Sequence, residues 1–248
     1  MNPTKHKIIS AIFAIAFVVI IQWFASPLPI FRFLVPAFLL FVIALMVYNW
    51  RYLVRKNAFT WWLFIRLPLF IIFWFSLFFI IPLGIGRAVF LLVSMPILFF
   101  FETLLENTGQ QFAWNIFLLS LASFLLGLFG FNFYFPLSGL VYLLILFVGT
   151  LLLVRVSVDS VPHPANVKWL AALVLALFSA QLFWVLQFLP LHFSVLAIIN
   201  FNILYLLWAI YYHYLYQTLT AKQIQFSILL ALALSIVVLV SSPWSILN

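Results

Sequence analysis

Nine mainly apolar runs, separated by proline, glycine or polar clusters, constrain the fold of this chain more than any other feature. A helix that crosses the hydrocarbon core of a bilayer needs roughly 20 mainly apolar residues. Apolar and polar residues do not alternate in the runs, as they would in a membrane barrel. We predict an all-α, polytopic integral membrane helix bundle of about nine transmembrane helices, arranged as four hairpins plus one. The predicted spans are 8–24, 33–48, 67–86, 88–104, 112–131, 136–154, 169–189, 192–212 and 223–241.

The composition excludes a water-soluble domain, because only 6% of the residues are charged, whereas soluble domains carry about 25%. The sequence has no cysteine, which rules out disulfides, thiolate metal sites and thiol nucleophiles. The net charge of +8 is spread thinly at helix ends, so nucleic acid is not an expected partner. The lipid bilayer is the expected partner, and a membrane-protein partner or a second copy of the chain would also suit such a surface.

The N-terminal segment, MNPTKHKIISAIFAIAFVVIIQWFASP, has the charged start and apolar run of a signal peptide. Its cleavage region is poor, since the bulky Trp23 and Phe24 stand where small residues are needed. We interpret the segment as an uncleaved first helix. The alternative, removal on maturation, would leave eight helices.

Lysine and arginine positions predict that the N-terminus faces the cytoplasm and the C-terminus faces outward. Under the positive-inside rule, cytoplasmic loops carry an excess of these residues. The predicted outer turns hold only Arg32 and Arg87, and Arg66 lies just inside the third helix. The inner segments hold Lys5, Lys7, Arg51, Arg55, Lys56, Arg155, Lys168 and Lys222. We expect a multi-pass protein of the inner (cytoplasmic) membrane.

Every predicted outer turn contains a proline, and these prolines are about 54 residues apart. They are Pro27, Pro82, Pro136, Pro190 and Pro243. One interpretation is a single transmembrane domain, residues 1–248, built from repeated two-helix units. The other is that any hairpin of two membrane-length helices needs about 50 residues, and we favour it.

Ionisable residues inside a membrane are costly, so each is a candidate for function. Counted from a turn at 84–87, Arg66 and Glu106 are nearly level, and Glu102 lies about one turn deeper. Glu102 and Glu106 share a helix face. These residues suggest a cytoplasm-facing site for a cation, a proton or a phosphate-bearing headgroup. A structural ion pair is the alternative, and we favour it.

Two further groups of polar residues are weaker candidates. Asp159 and His163 are four residues apart, as an acid–base pair would need, but the prolines around them favour an ordinary solvated loop. Gln181 and Asn200 lie equally far from the turn at Pro190, with Asn202 close by. We expect these amides to hydrogen-bond between helices, and a substrate-binding role is the alternative.

No recognised catalytic motif accompanies these residues. The sequence lacks G-x-S-x-G, H-E-x-x-H and Walker A patterns, and it has no paired-aspartate motif. We therefore assign no catalytic residue, no metal site and no cofactor.

The segment 181–220 contains an FW-x-L-x-FLPL turn followed by a YY pair. In these features it resembles part of a bacterial family of multi-helix membrane proteins of unknown function. The resemblance covers a minor part of the chain and implies a bacterial origin, but no activity.

Two functions follow from these observations. The first is a non-enzymatic bundle that is transporter-like, contacts lipid or serves as a scaffold or subunit. The second is a membrane enzyme that acts on a lipid or lipid-linked substrate at the cytoplasmic face, using Glu102, Glu106, Asp159 and Arg66.

Overall fold

The computed structural model describes residues 3–24, 31–81, 84–104, 110–135, 137–159, 161, 163–216 and 220–241. These residues form nine α-helices and no strand. Helices satisfy every backbone hydrogen bond within one segment, which is what a hydrocarbon solvent demands. The helices are α1 (Pro3–Phe24), α2 (Phe31–Arg55), α3 (Trp61–Phe78), α4 (Ile85–Thr103), α5 (Gln110–Tyr134), α6 (Gly139–Ser157), α7 (Ala165–Leu186), α8 (Phe193–Leu215) and α9 (Ala221–Ser241).

Eight helices of the described chain, α1 to α8, are long and apolar enough to cross a membrane. The apolar part of α9 is shorter and covers Ile224–Val240. The predicted all-α, polytopic architecture is thus confirmed, and the chain is a multi-pass membrane protein.

The prediction for the third helix is wrong at both ends, because α3 covers Trp61–Phe78 and not 67–86. The prediction began the helix after the charged Arg66, yet α3 begins five residues earlier. There the Thr60 hydroxyl caps the helix by accepting a hydrogen bond from the Leu63 amide at 3.1 Å. Arg66 is therefore a buried residue inside the helix.

The predicted outer turn at 84–87 is displaced as well, because α4 begins at Ile85, after Gly84. Gly84 adopts a φ of 106°, which glycine reaches without steric cost. Arg87 lies in the first turn of α4 and donates from Nε to the Ile81 carbonyl at 3.1 Å. Its guanidinium packs 4.6 Å from the centre of the Phe78 ring. This outer cation thus joins the two helices.

The chain divides into two compact units, unit 1 (Met1–Thr108) and unit 2 (Gly109–Asn248). In unit 1, α1 packs against α2 and α4, and α3 packs against the same two helices, so the four form a closed ring. In unit 2, α5, α6, α7 and α8 form a second such ring, and α9 packs against α8. Of the five outer prolines, only Pro190 belongs to the described residues, so the proposed repeat stays a prediction.

The orientation can be tested by cysteine labelling, since the natural sequence has no cysteine. Ala58 lies between α2 and α3, and Leu189 lies between α7 and α8. We expect Leu189→Cys to react with a membrane-impermeant maleimide in intact cells, because its connection is predicted to face outward. Ala58→Cys should react only after the membrane is permeabilised. The opposite pattern would reverse the predicted topology.

Gly149 sets the closest approach of α5 and α6 within unit 2. A Cβ atom at this position would collide with the Phe124 ring, so even alanine would force the ring or the helix to move. We expect Gly149→Ala to lower the free energy of unfolding by about 1–3 kcal/mol, measured as a lower midpoint of thermal unfolding in detergent. Gly139→Ala is the matched control in the same helix, because its Cβ would lie 3.9 Å from the nearest atom. Equal midpoints for the two variants would contradict the close contact.

Candidate functional site

Buried polar side chains of unit 1 concentrate at one end of its helix ring. This is the end where α1 begins and where α2 and α4 finish. We call it the inner end, because the sequence predicts that it faces the cytoplasm. The buried residues concerned are His6 and Ser10 of α1, Asn49 and Tyr52 of α2, and Glu102 of α4, and the partly exposed Tyr48 of α2 joins them.

His6 is the centre of this cluster. Its Nδ1 lies 2.7 Å from the Tyr48 hydroxyl, and its Nε2 lies 3.2 Å from the backbone carbonyl oxygen of Glu102. A carbonyl oxygen only accepts, so Nε2 carries a proton. In the neutral imidazole, Nδ1 therefore accepts a hydrogen bond from Tyr48. The ring also stacks on Tyr52, with centroids 3.9 Å apart and an interplanar angle of 15°.

Glu102 lies beside this imidazole with a side chain that is almost fully buried, at 2% exposure. Within the described chain, neither of its carboxyl oxygens receives a hydrogen bond. Asn49 of α2 lies close enough to the carboxyl to interact with it as a weak donor, but its amide atoms make no hydrogen bond of good geometry. Such unpaired polar atoms cost free energy in an apolar interior, so the arrangement calls for an explanation other than stability.

A cavity of about 10 Å³ adjoins Glu102. Ser10 and Glu102 are its polar residues, and its other walls are apolar side chains of all four helices of unit 1. The Ser10 hydroxyl itself donates to the His6 carbonyl oxygen at 2.9 Å. The cavity is large enough for about one water molecule.

The structure describes only two members of the predicted grouping, Arg66 and Glu102. Glu106 lies outside the described residues. Arg66 is buried in α3 at 4% exposure, but the Glu102 carboxyl forms no hydrogen bond with it. Glu102 instead lies in one cluster with His6, Tyr48 and Asn49, none of which was predicted from the sequence. A histidine between two lysines at the start of a mainly apolar helix is the sequence feature that would have suggested His6.

The connection between α6 and α7 holds the next candidate, Asp159. Its carboxylate lies 3.4 Å from Arg155 Nη1, and its carbonyl oxygen accepts from Lys168 Nζ at 2.7 Å. His163 turns elsewhere, with Nε2 3.0 Å from the Leu215 carbonyl oxygen at the end of α8. Asp159 and His163 therefore each contact a different group rather than each other. Their contacts fix the connection in unit 2.

The three candidate amides do not form one site. Gln181 is exposed on α7, whereas Asn200 is fully buried in α8 and its amide atoms have no hydrogen bond in the described chain. Asn202 donates from Nδ2 to the Ser235 hydroxyl of α9 at 3.2 Å. Equal distance from a turn places two residues at one depth, but each residue also rotates the side chain by 100° around its helix. Depth alone therefore did not determine which amides meet.

The described residues include no group of three or more His, Cys, Asp or Glu side chains that could hold a metal ion. The fold and these sites define the class of this chain as a polytopic helical membrane protein. No protein-family model, curated protein or solved structure matches it.

Tyr48→Phe tests the hydrogen bond that holds His6. The change removes the hydroxyl and leaves Nδ1 without its partner, so we expect a loss of about 1 kcal/mol in stability, measured as a lower thermal midpoint in detergent. Tyr214→Phe is the control, because the Tyr214 side chain is 65% exposed. A Tyr48→Phe midpoint equal to that of the control would contradict the role of the hydroxyl.

Proposed function

We propose that the protein is a non-enzymatic, lipid-contacting component of the bacterial inner membrane, and that the inner end of unit 1 binds the headgroups of anionic lipids. The bacterial origin and the choice of membrane rest on the resemblance and on the charge asymmetry described above. The headgroup site concerns unit 1 alone.

Four exposed cations at the inner end carry this proposal. Lys5 and Lys7 lie at the start of α1, and Arg51 and Arg55 lie at the end of α2. Lys56 is exposed just beyond them, with Nζ 5.9 Å from the centre of the Tyr52 ring. A cluster of four to eight basic residues next to a membrane helix is typical of a site for anionic lipids.

Exposed tryptophans support the same placement. Trp50 is 51% exposed near the end of α2, and Trp61 is 66% exposed at the start of α3. Tryptophan prefers the level of the headgroups, where its ring is apolar and its N–H can be solvated. The cations and these rings would thus meet lipid at one depth.

Apolar grooves on unit 2 support a lipid-contacting role for the rest of the chain. One groove of about 420 Å³ lies between α7 and α8 and is lined by residues such as Val174, Phe178 and Leu207. Another, of about 720 Å³, lies between α6 and α7 beside Leu144 and Trp184. Open grooves with such walls suit acyl chains.

The enzyme alternative has one specific observation in its favour, the juxtaposition of His6, Tyr48 and Glu102. Catalysis on a lipid would require a substrate to reach the Glu102 carboxyl, which is nearly inaccessible. Asp159 already has a cationic partner at 3.4 Å. These features favour the non-enzymatic function.

A variant that removes four positive charges from the inner end tests the proposal. Lys5, Lys7, Arg51 and Arg55 are all changed to glutamine, and bound lipid is counted by native mass spectrometry after mixing with equal amounts of phosphatidylglycerol and phosphatidylcholine. Each basic residue near an anionic surface contributes about 1 kcal/mol, so we expect the preference for phosphatidylglycerol to fall about tenfold or more.

The matched control exchanges lysine for arginine and arginine for lysine at the same four positions. It keeps the charge and should keep the lipid preference, provided that cysteine labelling finds the same orientation in both variants. An unchanged preference in the glutamine variant would disprove the headgroup site.

A further inference from the structure

The buried carboxyl of Glu102 has no part in the proposed lipid site, and packing does not account for it. Its side chain is 2% exposed, and neither oxygen accepts a hydrogen bond within the described chain. Replacing buried polar groups by well-packed apolar ones is often neutral or stabilising. Ionisable residues inside membranes are for this reason functional by default.

The surroundings of the carboxyl suit a proton better than a metal cation. The adjoining cavity has about 10 Å³, and its polar walls are Ser10 and Glu102. Hard cations such as Ca²⁺ take six or more oxygen ligands, whereas these walls and the neighbouring Asn49 supply fewer. A proton needs one carboxyl oxygen and, at most, one bridging water.

The backbone of Glu102, and not its carboxyl, is hydrogen-bonded toward the surface of unit 1. Glu102 lies against His6, whose Nε2 is 3.2 Å from the Glu102 carbonyl oxygen. Nδ1 of the same ring is 2.7 Å from the hydroxyl of Tyr48, a side chain that is partly exposed. His6 thereby holds the backbone that carries the carboxyl, and Tyr48 holds His6.

The other three helices of unit 1 also carry titratable or charged groups. His6 comes from α1, Tyr48 and Tyr52 come from α2, and Arg66 is buried in α3. The lysines and arginines at the start of α1 and the end of α2 are exposed. Tyr48 is within electrostatic reach of the Glu102 charge.

We infer that Glu102 reversibly binds a proton within the membrane domain, and that His6 and Tyr48 are positioning residues that hold the Glu102 backbone through their hydrogen bonds. In the loading step, a proton from water is added to a carboxylate oxygen and gives the neutral acid. In the release step, the O–H bond breaks and the proton returns to water. No other bond changes.

Labelling with dicyclohexylcarbodiimide tests this inference on the full chain in nanodiscs. The reagent partitions into lipid and adds to the protonated form of a carboxyl, and mass spectrometry locates the product. We expect Glu102 to be labelled, and the labelling to fall on the order of tenfold as the pH is raised one unit beyond its midpoint, as for a single titration. Glu102→Gln should lose the label, and Glu102→Asp should keep it.

His6→Gln and Tyr48→Phe test the positioning, because each alters a hydrogen bond that holds the Glu102 backbone and keeps the carboxyl itself. We expect both to move the midpoint of the labelling curve, and Tyr214→Phe to leave it unchanged. Midpoints that stay fixed in both variants would disprove the role of His6 and Tyr48.

Two results would overturn the proton site itself. Labelling of Glu102 that does not change with bulk pH would mean a permanently neutral, structural acid. Protection by Na⁺ at constant pH would mean that a metal cation occupies the carboxyl. The glutamine variant of the four exposed cations should still be labelled at Glu102, so the lipid site and the proton site can fail separately.

Discussion

The requirement that every backbone N–H and C=O find a partner governs this molecule more than any side-chain contact. In hydrocarbon, an unpaired backbone group costs several kcal/mol, and water is not there to relieve the cost. The helix meets the requirement within a single segment, so the long apolar runs of the described chain are helical. Side chains are then left to decide how the helices pair.

Side chains within each unit pair the helices mainly through aromatic and small residues. In unit 1, the rings of Phe38 and Phe75 stack 4.0 Å apart between α2 and α3, and the indole N–H of Trp74 donates to the Ser94 hydroxyl at 2.7 Å. In unit 2, Phe117 and Trp208 meet at 4.6 Å between α5 and α8. Packing of this kind drives helix association where the hydrophobic effect offers little.

The acidic residues of the two units have different surroundings. In unit 2, Asp159 has a nearby guanidinium and sits on a connection fixed by Lys168. In unit 1, Glu102 is enclosed by helices and its oxygens lack hydrogen bonds from the described residues. A paired carboxylate on a connection is explained by local structure. The enclosed carboxyl of Glu102 is not explained by local structure, which marks unit 1 as the place of function.

The apolar runs by themselves determined the fold class and nearly all of the helices, because membrane thickness translates directly into run length. The predicted start of α3 was wrong, because a count of uncharged residues ends at Arg66, whereas the helix buries this arginine. The site was another matter. Depth along a helix can be counted from the sequence. Which face of a helix contacts which neighbouring helix depends on the rotation of each helix and on how the four helices of the unit pack. Only the tertiary structure therefore brought His6 of α1 to Tyr48 of α2 and to Glu102 of α4.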